Sequence, residues 1–355
     1  MAVRHPPGAL DGGLTGGCFG NSSILGGHSS KANSYHFDAH CRLFLVSRVA
    51  NSRLSMQSTK KLYTLLVLLC WCVQASTPTS AHAAVADANE KALTLKWLGN
   101  AGWEIQFEQV IILIDPFITR GEASPGAEWK TDEEAVLRVI KRADYIFAGH
   151  SHADHIADLP FIAKKFGAKV IGSRTTTNIA LTGGVDKSQL FTISGGEKLD
   201  FKEFSVQVIA SEHGTIMRGG RRVRAKFEEI TRPWSGPITG SSFVEGGSYL
   251  YLFTFGDHRL LHQSTGGFIE DNLTGLKADT ALLYPMERKD LAEIVKLLQP
   301  KTVALHHFDR WQLSLADGLP EATMGRARRF TGDIRSIDDK IKVVIPKYFE
   351  PLSLR

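Results

Sequence analysis

The chain has 355 residues, among them 13 histidines and only 4 cysteines, and its formal net charge is +5. A charge this small, without a basic stripe interleaved with aromatic residues, argues against a nucleic-acid partner. Residues 84–355 contain no repeat or low-complexity tract, and they are numerous enough to bury one hydrophobic core.

The residues before 84 have the pattern of segments that precede a folded domain. Residues 1–55 are rich in Gly, Ser, His and Asn without periodicity, which predicts an extension upstream of the true start or a disordered leader. Met56 is followed by a basic pair, an apolar run at 62–73 and an A-x-A site ending at Ala83. This order is typical of a secretory signal. The apolar run is shorter than the ~20 residues of a permanent transmembrane helix.

We therefore expect residues 56–83 to be a signal peptide and residues 84–355 to be the mature domain, located in the periplasm or outside the cell. Cleavage near Ala83 would remove every cysteine, namely Cys18, Cys41, Cys70 and Cys72. A mature chain without cysteine has no disulfide, and it lacks the ligands that structural zinc sites mostly use.

Strand and helix patterns alternate in the first half of this domain. Residues 93–98 alternate with a period of two, residues 103–107 form a second strand, and the continuously apolar run 110–114 indicates a buried strand ending at Asp115. The elements that follow are a helix at 133–142, a strand at 145–148, a helix at 158–166, a strand at 169–173 and a helix at 175–181. Such alternation predicts parallel βαβ units.

Strands dominate the second half. They are predicted at 189–194, 198–201, 204–210, 249–255, 259–262, 279–284, 302–305 and 341–345, with helices at 289–298 and 321–330. Between them, residues 216–242 carry several arginines with Trp234, glycines and prolines. This segment is either a solvated loop or a lid that grips an anionic or amphipathic substrate.

Three histidines and one aspartate follow the strand at 145–148 within six positions: His150, His152, Asp154 and His155. Imidazole and carboxylate at this density suit a divalent ion, above all zinc. The alternative is a polar loop or a helix start capped by Asp154. Further polar side chains stand at other strand ends, and they are Asp115, His213, Ser264 and His307. Six of these side chains could form two metal sites of three ligands each, with the open positions of catalytic zinc.

These motifs resemble the metallo-β-lactamase superfamily, and most closely its L-ascorbate-6-phosphate-lactonase-like branch. The likeness covers residues 93–345 and rests on H-x-H-x-D-H at 150–155, on a W-x-G-H-A/S-G-like turn at 97–102 and on I-D-P-F at 114–117. It implies an α/β fold: a four-layer αββα sandwich of two mixed β-sheets with flanking helices, whose site lies at one edge between the sheets.

The resemblance also implies the metal ligands. The first metal would be bound by His150, His152 and His213. The second would be bound by Asp154, His155 and His307. His306 stays open as an alternative to His307, because adjacent residues at a strand end point in opposite directions.

Two positions depart from the family pattern. Ser264 stands where the family commonly has an aspartate that bridges both metals, and Asp257 is too distant along the hairpin to be an obvious substitute. Serine is a poor ligand unless it is deprotonated, so we expect one metal, or two with the second bound more weakly. Asn100 replaces the usual histidine of the turn. Asn100 and Asp115 are expected to contact the ligands rather than the metal.

The resemblance implies a metal-dependent hydrolase that uses zinc, with manganese or iron as alternatives. A metal-bound hydroxide would attack an ester, lactone, amide or phosphodiester bond of a small-molecule substrate. Asp154 would orient this hydroxide or act as its base. The main alternative is a non-catalytic periplasmic protein on the same fold that lost the bridging carboxylate and binds a ligand or a metal. Redox chemistry at two irons is less favoured, because the sequence shows no electron-carrying part.

Overall fold

The computed structural model describes residues 34–36, 92–218, 221–224 and 226–354. Apart from one short strand at 34–36, the predicted leader at 1–55, the start at Met56 and the signal peptide at 56–83 lie outside these residues and stay predictions. The described residues belong to one compact unit. Within them, no helix has both the length and the apolar character of a membrane span.

The strands of the described residues follow the alternating and continuous apolar runs of the sequence. In chain order they are β1 (Ser34–His36), β2 (Leu93–Gly99), β3 (Gly102–Phe107), β4 (Val110–Ile114), β5 (Tyr145–Phe147), β6 (Lys169–Gly172), β7 (Leu190–Thr192), β8 (Lys198–Asp200), β9 (Ser205–Ser211), β10 (Thr215–Arg218), β11 (Arg221–Arg224), β12 (Ser248–Phe255), β13 (His258–Gln263), β14 (Thr280–Leu283), β15 (Thr302–Leu305), β16 (Lys342–Val344) and β17 (Pro351–Leu354).

The helices are α1 (Glu133–Val139), α2 (Ala153–Ile156), α3 (Leu159–Phe166), α4 (Arg174–Thr182), α5 (Glu270–Leu273), α6 (Arg288–Leu298) and α7 (Glu321–Ile337). Helix α1 is shorter than predicted because Ile140 already has an extended backbone. Helix α7 is longer than predicted and continues through Gly332. Phe330 and Ile334 lie one turn apart and are both buried, so their packing stabilises the helix across the glycine.

The strands form two mixed sheets and one separate hairpin. The first sheet has the order β17-β2-β3-β4-β5-β6-β7, and the second has the order β1-β8-β9-β12-β13-β14-β15-β16. Strands β4 to β7 are mutually parallel, and so are β13 to β16. Strand β17 was not predicted. It is an edge strand that begins with proline, a residue that such positions tolerate.

The two sheets pack face to face, with helices on both outer faces. Phe147 of β5 contacts Tyr251 of β12 across the interface, with ring centroids 5.2 Å apart. Its neighbour Ile146 points the other way, into a cluster that includes Val136 of α1. On the far side of the second sheet, α6 and α7 bury apolar residues such as Phe330. Each fully buried side chain of this size contributes roughly 1.5–3 kcal/mol. The predicted αββα sandwich is confirmed.

The strand directions place the predicted site residues at one edge of each sheet. In the first sheet β2, β4 and β5 run the same way, because β3 is antiparallel to both of its neighbours. In the second sheet β9, β13, β14 and β15 also share one direction. The ligand candidates all come after the ends of these strands. Carboxyl ends of parallel strands are where α/β proteins commonly bind ligands.

Candidate metal centre

The loop after β5 is fixed by both sheets before it reaches the first histidine. The Tyr251 hydroxyl donates to the Ala148 carbonyl at 2.7 Å, and the Gly149 N–H donates to Asp115 Oδ1 at 2.7 Å. Position 149 requires glycine, because an added Cβ would lie 2.1 Å from the Cβ of Ser264. This close approach brings Asp115 and Ser264 directly under the loop.

Six predicted ligands come together in two groups. The ligand atoms within each group lie within 4.8 Å of one another. We name His150, His152 and His213 the first triad, and Asp154, His155 and His307 the second triad. The short helix α2 begins after His152, so it separates the ligands of the loop into these two groups.

The first triad consists of three imidazole rings in mutual contact. His150 Nε2 and His152 Nδ1 are 3.1 Å apart, and the His213 ring centroid lies 4.8 Å from that of His150. Burial, together with the neighbouring imidazoles, lowers the pKa of His150 well below its usual value and that of His152 to about 4. Burial also lowers the pKa of His213. These rings are therefore neutral near pH 7, with lone pairs available to a cation.

The second triad combines a carboxylate with two imidazoles. Asp154 Oδ2 lies 3.4 Å from His307 Nε2 and 3.5 Å from His155 Nε2. Burial alone would raise the pKa of Asp154, but His155 and His307 hold it below its usual range. Burial would likewise lower the pKa of His155, but Asp154 and Asp115 raise it above its usual value. Asp154 is therefore an ionised, acceptor-only group.

The structure distinguishes the two adjacent histidines at the end of β15. His306 is fully buried, its Nδ1 accepts from the Trp103 indole N–H at 3.0 Å, and its Nε2 donates to the Gln263 carbonyl at 2.7 Å. Both of its ring nitrogens are thus used inside the core. His307 lies with its Nε2 3.3 Å from His155 Nε2, in the second triad.

Ser264 and Asp115 lie behind both triads. The Ser264 hydroxyl donates to Asp115 Oδ2 at 2.6 Å and lies 3.1 Å from His150 Nδ1, while His155 Nδ1 is 3.0 Å from Asp115 Oδ2. Because the carboxylate only accepts, His155 carries its proton on Nδ1. His150 must do the same, since the single hydroxyl proton goes to Asp115. Ser264 therefore contacts the nitrogens that face away from the other ligands and leaves both Nε2 atoms free for a metal.

Burial would raise the pKa of Asp115, but His155 together with the Ser264 hydrogen bond lowers it below its usual value. A carboxylate paired with a ligating histidine is a common support of metal sites. Neutral imidazole nitrogens that approach to 3.1 Å need a shared proton or a cation between them. The nitrogen and oxygen donors of the two triads, without any cysteine, fit a zinc-type divalent ion.

The comparisons with known proteins agree with this geometry. A family profile described as a beta-lactamase superfamily domain matches residues 94–306, more than half of the chain. The chain belongs to the metallo-β-lactamase superfamily. It is 27% identical over 245 residues to a UPF0173 metal-dependent hydrolase of Carboxydothermus hydrogenoformans, with 66% of this chain and 93% of the relative covered. It is 28% identical over 270 residues to that of Thermococcus onnurineus, with 73% and 99% covered.

Among solved structures, the chain is similar to Igni18, a metallo hydrolase from the hyperthermophilic archaeon Ignicoccus hospitalis. The TM-score is 0.52 at 19% identity, and the superposition covers 75% of this chain and 99% of that chain. At this identity the likeness shows that the metallo-β-lactamase fold is shared.

Both departures from the superfamily pattern have structural consequences. Asn100 donates from Nδ2 to the Asp154 carbonyl at 2.6 Å and to Asp154 Oδ2 at 3.0 Å, so it contacts a member of the second triad. Asp257 is exposed in the turn between β12 and β13, at the opposite end of the hairpin from Gln263 and Ser264. It does not replace the carboxylate that the superfamily has at position 264.

A cleft of about 1200 Å³ opens beside both triads and exposes residues that the sequence did not single out. The Tyr284 ring packs against His307 with centroids 4.9 Å apart. Tyr284 directly follows β14, so its position at a strand end was the available signal. Arg326 and Arg329 line the cleft from α7, where a spacing of three places them on one face. Nothing in the sequence distinguishes these two arginines from the other exposed charged residues of an amphipathic helix.

The arginine-rich segment 216–242 is only partly described. Residues 226–242 do not line the cleft. Part of this stretch packs on α4 instead, where Ile230 accepts from the Asn178 side chain at 2.8 Å and donates its N–H to Thr175 Oγ1 at 2.9 Å. The lid remains a hypothesis for the β10–β11 hairpin.

Proposed function

We propose that this member of the metallo-β-lactamase superfamily is a zinc-dependent hydrolase of a small-molecule ester, lactone, amide or phosphodiester. One observation carries the proposal: two triads of metal-binding side chains line the same open cleft. Three protein ligands leave coordination positions free, as in catalytic zinc sites, whereas structural sites are closed by four. The relatives that are described as metal-dependent hydrolases support this assignment.

When bound, the divalent ions would lower the pKa of a water molecule toward about 7 and polarise the acceptor oxygen of the substrate. The side chains supply the rest. The ionised Asp154 carboxylate can orient a water molecule in the cleft by accepting a hydrogen bond from it. Asn100 fixes that carboxylate, while Ser264 and Asp115 fix the tautomers of His150 and His155.

Arg326 and Arg329 line the cleft and form no ion pair within the described residues, so they are available to an anionic group of the substrate, although acidic side chains such as Glu293 and Asp333 line the same cleft. The Tyr284 hydroxyl has no hydrogen-bond partner among the described residues, so it is available to donate to a substrate oxygen. We propose that these three side chains bind the part of the substrate next to the scissile bond.

Metal removal from the purified full-length protein tests the proposed function. Chelation should abolish hydrolysis across a panel of chromogenic ester, lactone, amide and phosphodiester substrates, and added Zn²⁺ should restore it. His152→Ala should lose the activity, whereas His258→Ala, a histidine that contacts Thr280 Oγ1 outside the site, should keep it. Full turnover in His152→Ala, or after complete removal of metal, would contradict a metal-dependent hydrolase.

We also propose that the protein is exported, which rests on the signal-like pattern of residues 56–83. N-terminal sequencing of protein recovered from the periplasm or the medium tests this proposal. The expected first residue lies just after Ala83. A chain that stays in the cytoplasm with its N-terminus at Met1 or Met56 would refute it.

A further inference from the structure

Two of the three side chains of the second triad belong to residues that form hydrogen bonds with Asn100. Asn100 Nδ2 donates to the carbonyl and to the carboxylate of Asp154, at 2.6 and 3.0 Å. The backbone carbonyl of Asn100 accepts the His307 N–H at 2.7 Å. Asp154 and His307 are far apart in the chain, so their mutual distance depends on where Asn100 lies.

Asn100 and His307 have left-handed backbone, with φ of +50° and +52°, a conformation that asparagine adopts more readily than most residues with a Cβ. The Asn100 N–H donates to both carboxylate oxygens of Asp309, at 3.0 and 3.1 Å. The Trp97 indole N–H donates to the Asn100 carbonyl at 2.9 Å. Asp309 and Trp97 thus hold this residue from two sides.

Asp309 is in turn held by a buried arginine. Arg120 Nη2 is 2.8 Å from Asp309 Oδ2, with the two side chains only 4% and 1% exposed. The Tyr348 hydroxyl donates to the same oxygen at 2.8 Å. The Arg120 guanidinium also lies near the rings of Phe117 and Tyr348, at 5.8 and 5.9 Å from their centroids.

This ion pair is poorly explained by stability alone. Arg120 Nε and Nη1 are buried without a hydrogen-bond partner among the described residues. Burying an arginine with incomplete partners is costly, and an apolar replacement of similar volume is often neutral or stabilising. What the pair does provide is a fixed carboxylate at the Asn100 N–H.

We infer that the buried Arg120–Asp309 pair is the positioning element of the second metal site: it fixes Asn100, and through Asn100 it fixes Asp154 and His307. This inference rests on the proposed function in one respect, namely that the second triad binds zinc. Among the described contacts, the pair does not touch the first triad. The two sites should therefore respond differently to its removal.

A similar but more exposed pair elsewhere in the chain serves as the control, with side chains 53% and 28% exposed. Asp144 also accepts a backbone N–H, from Ile111 at 2.8 Å, and pairs with Arg142 at 2.9 Å. It precedes β5 and lies at the end of that strand away from both triads. Asp144→Asn therefore removes the same kind of carboxylate without a connection to the ligands.

The test is a calorimetric titration of the metal-free full-length protein with Zn²⁺, with thermal unfolding measured in parallel. We expect Asp309→Asn to weaken the second equivalent by about ten- to a hundredfold, the range for lost support of a metal ligand. The first equivalent should bind as in the wild type. Asp144→Asn should leave both equivalents unchanged.

Asn100→Gly provides a second test of the inference for the case in which Asp309→Asn does not fold. Glycine tolerates the left-handed backbone and retains its N–H for Asp309, but it removes the contacts to Asp154. The same selective loss of the second equivalent is expected. Wild-type affinity in a folded variant, equal weakening of both equivalents, or a wild type that binds only one Zn²⁺ would overturn the inference. A wild type that binds no Zn²⁺ would instead refute the proposed function.

Discussion

The two triads share one cleft but are built differently. Each triad takes two ligands from segment 150–155 and its third from another strand end, His213 or His307. Burial keeps the three imidazoles of the first triad neutral. The second triad depends on Asn100, Asp309 and Arg120, and the Asn100–Asp309 contact joins residues 209 positions apart. The comparison teaches that both triads need the assembled fold for their third ligand, but among the described contacts only the second triad is connected to a buried arginine–aspartate ion pair.

The largest expected effect comes from removing one ligand of each triad. His150→Ala should reduce kcat/KM on the order of a thousandfold, because metal stabilisation of the transition state is worth several kcal/mol. His307→Ala should lose one equivalent of zinc and a smaller part of the activity. Steady-state kinetics and metal analysis of both variants check this order. Equal losses would mean that the two triads act as one unit and would remove the distinction between them.

Ser264→Ala should affect both triads together, because Ser264 contacts His150 of the first and the Asp115 that holds His155 of the second. The variant removes one donor to Asp115 Oδ2, which keeps its contact with His155, and it leaves the buried His150 Nδ1–H unpaired. We expect a loss of about 1–3 kcal/mol in the free energy of unfolding and weaker binding of both zinc equivalents. Urea unfolding and zinc titration measure this, with the exposed Ser241→Ala as control. Weakening of only one equivalent would show that Ser264 serves a single triad.

Gly149→Ala should disturb the base of the centre sterically. The new Cβ would meet Ser264 at 2.1 Å and Asp115 Oδ2 at 3.1 Å. An overpacked core of this kind costs about 1–3 kcal/mol. Gly126→Ala is the control, because a Cβ there has no neighbour within 4 Å. Thermal unfolding of both variants measures the difference in stability. Equal stability of Gly149→Ala and Gly126→Ala would mean that Ser264 and Asp115 move aside at little cost.

The smallest effect is expected for Tyr284→Phe. The ring that packs on His307 is retained, so stability and zinc affinity should stay at wild-type values. Loss of one neutral hydrogen bond to the substrate should reduce kcat/KM by about three- to tenfold. Steady-state kinetics with the best substrate of the panel measures it. A loss of zinc at the second triad would instead assign Tyr284 a role in supporting His307.

Much of this architecture could be predicted from local patterns. Period-two and continuously apolar runs located most strands, and their directions followed from the βαβ alternation. Segment 150–155 was recognisable as a metal-binding motif, because three histidines and an aspartate after a strand are rarely explained by packing. These features depend on residues within a few positions of one another, which is the range over which sequence patterns carry information.

Other features required the tertiary structure. No sequence pattern distinguishes His306 from His307, because the choice depends on Trp103 and Gln263, which occupy both nitrogens of His306. Nor does any pattern reveal that Ser264 lies behind His150 rather than between the ligands.

The sequence alone thus determined the family, the sandwich and segment 150–155, which supplies two side chains to each triad. The fold decided how the second triad is held, through the pair of Arg120 and Asp309 at 2.8 Å. The physical reason is that such contacts join residues far apart in the chain and involve left-handed backbone at Asn100. The N–H and the side chain of Asn100 find their partners only when folding brings Asp309 and Asp154 to them.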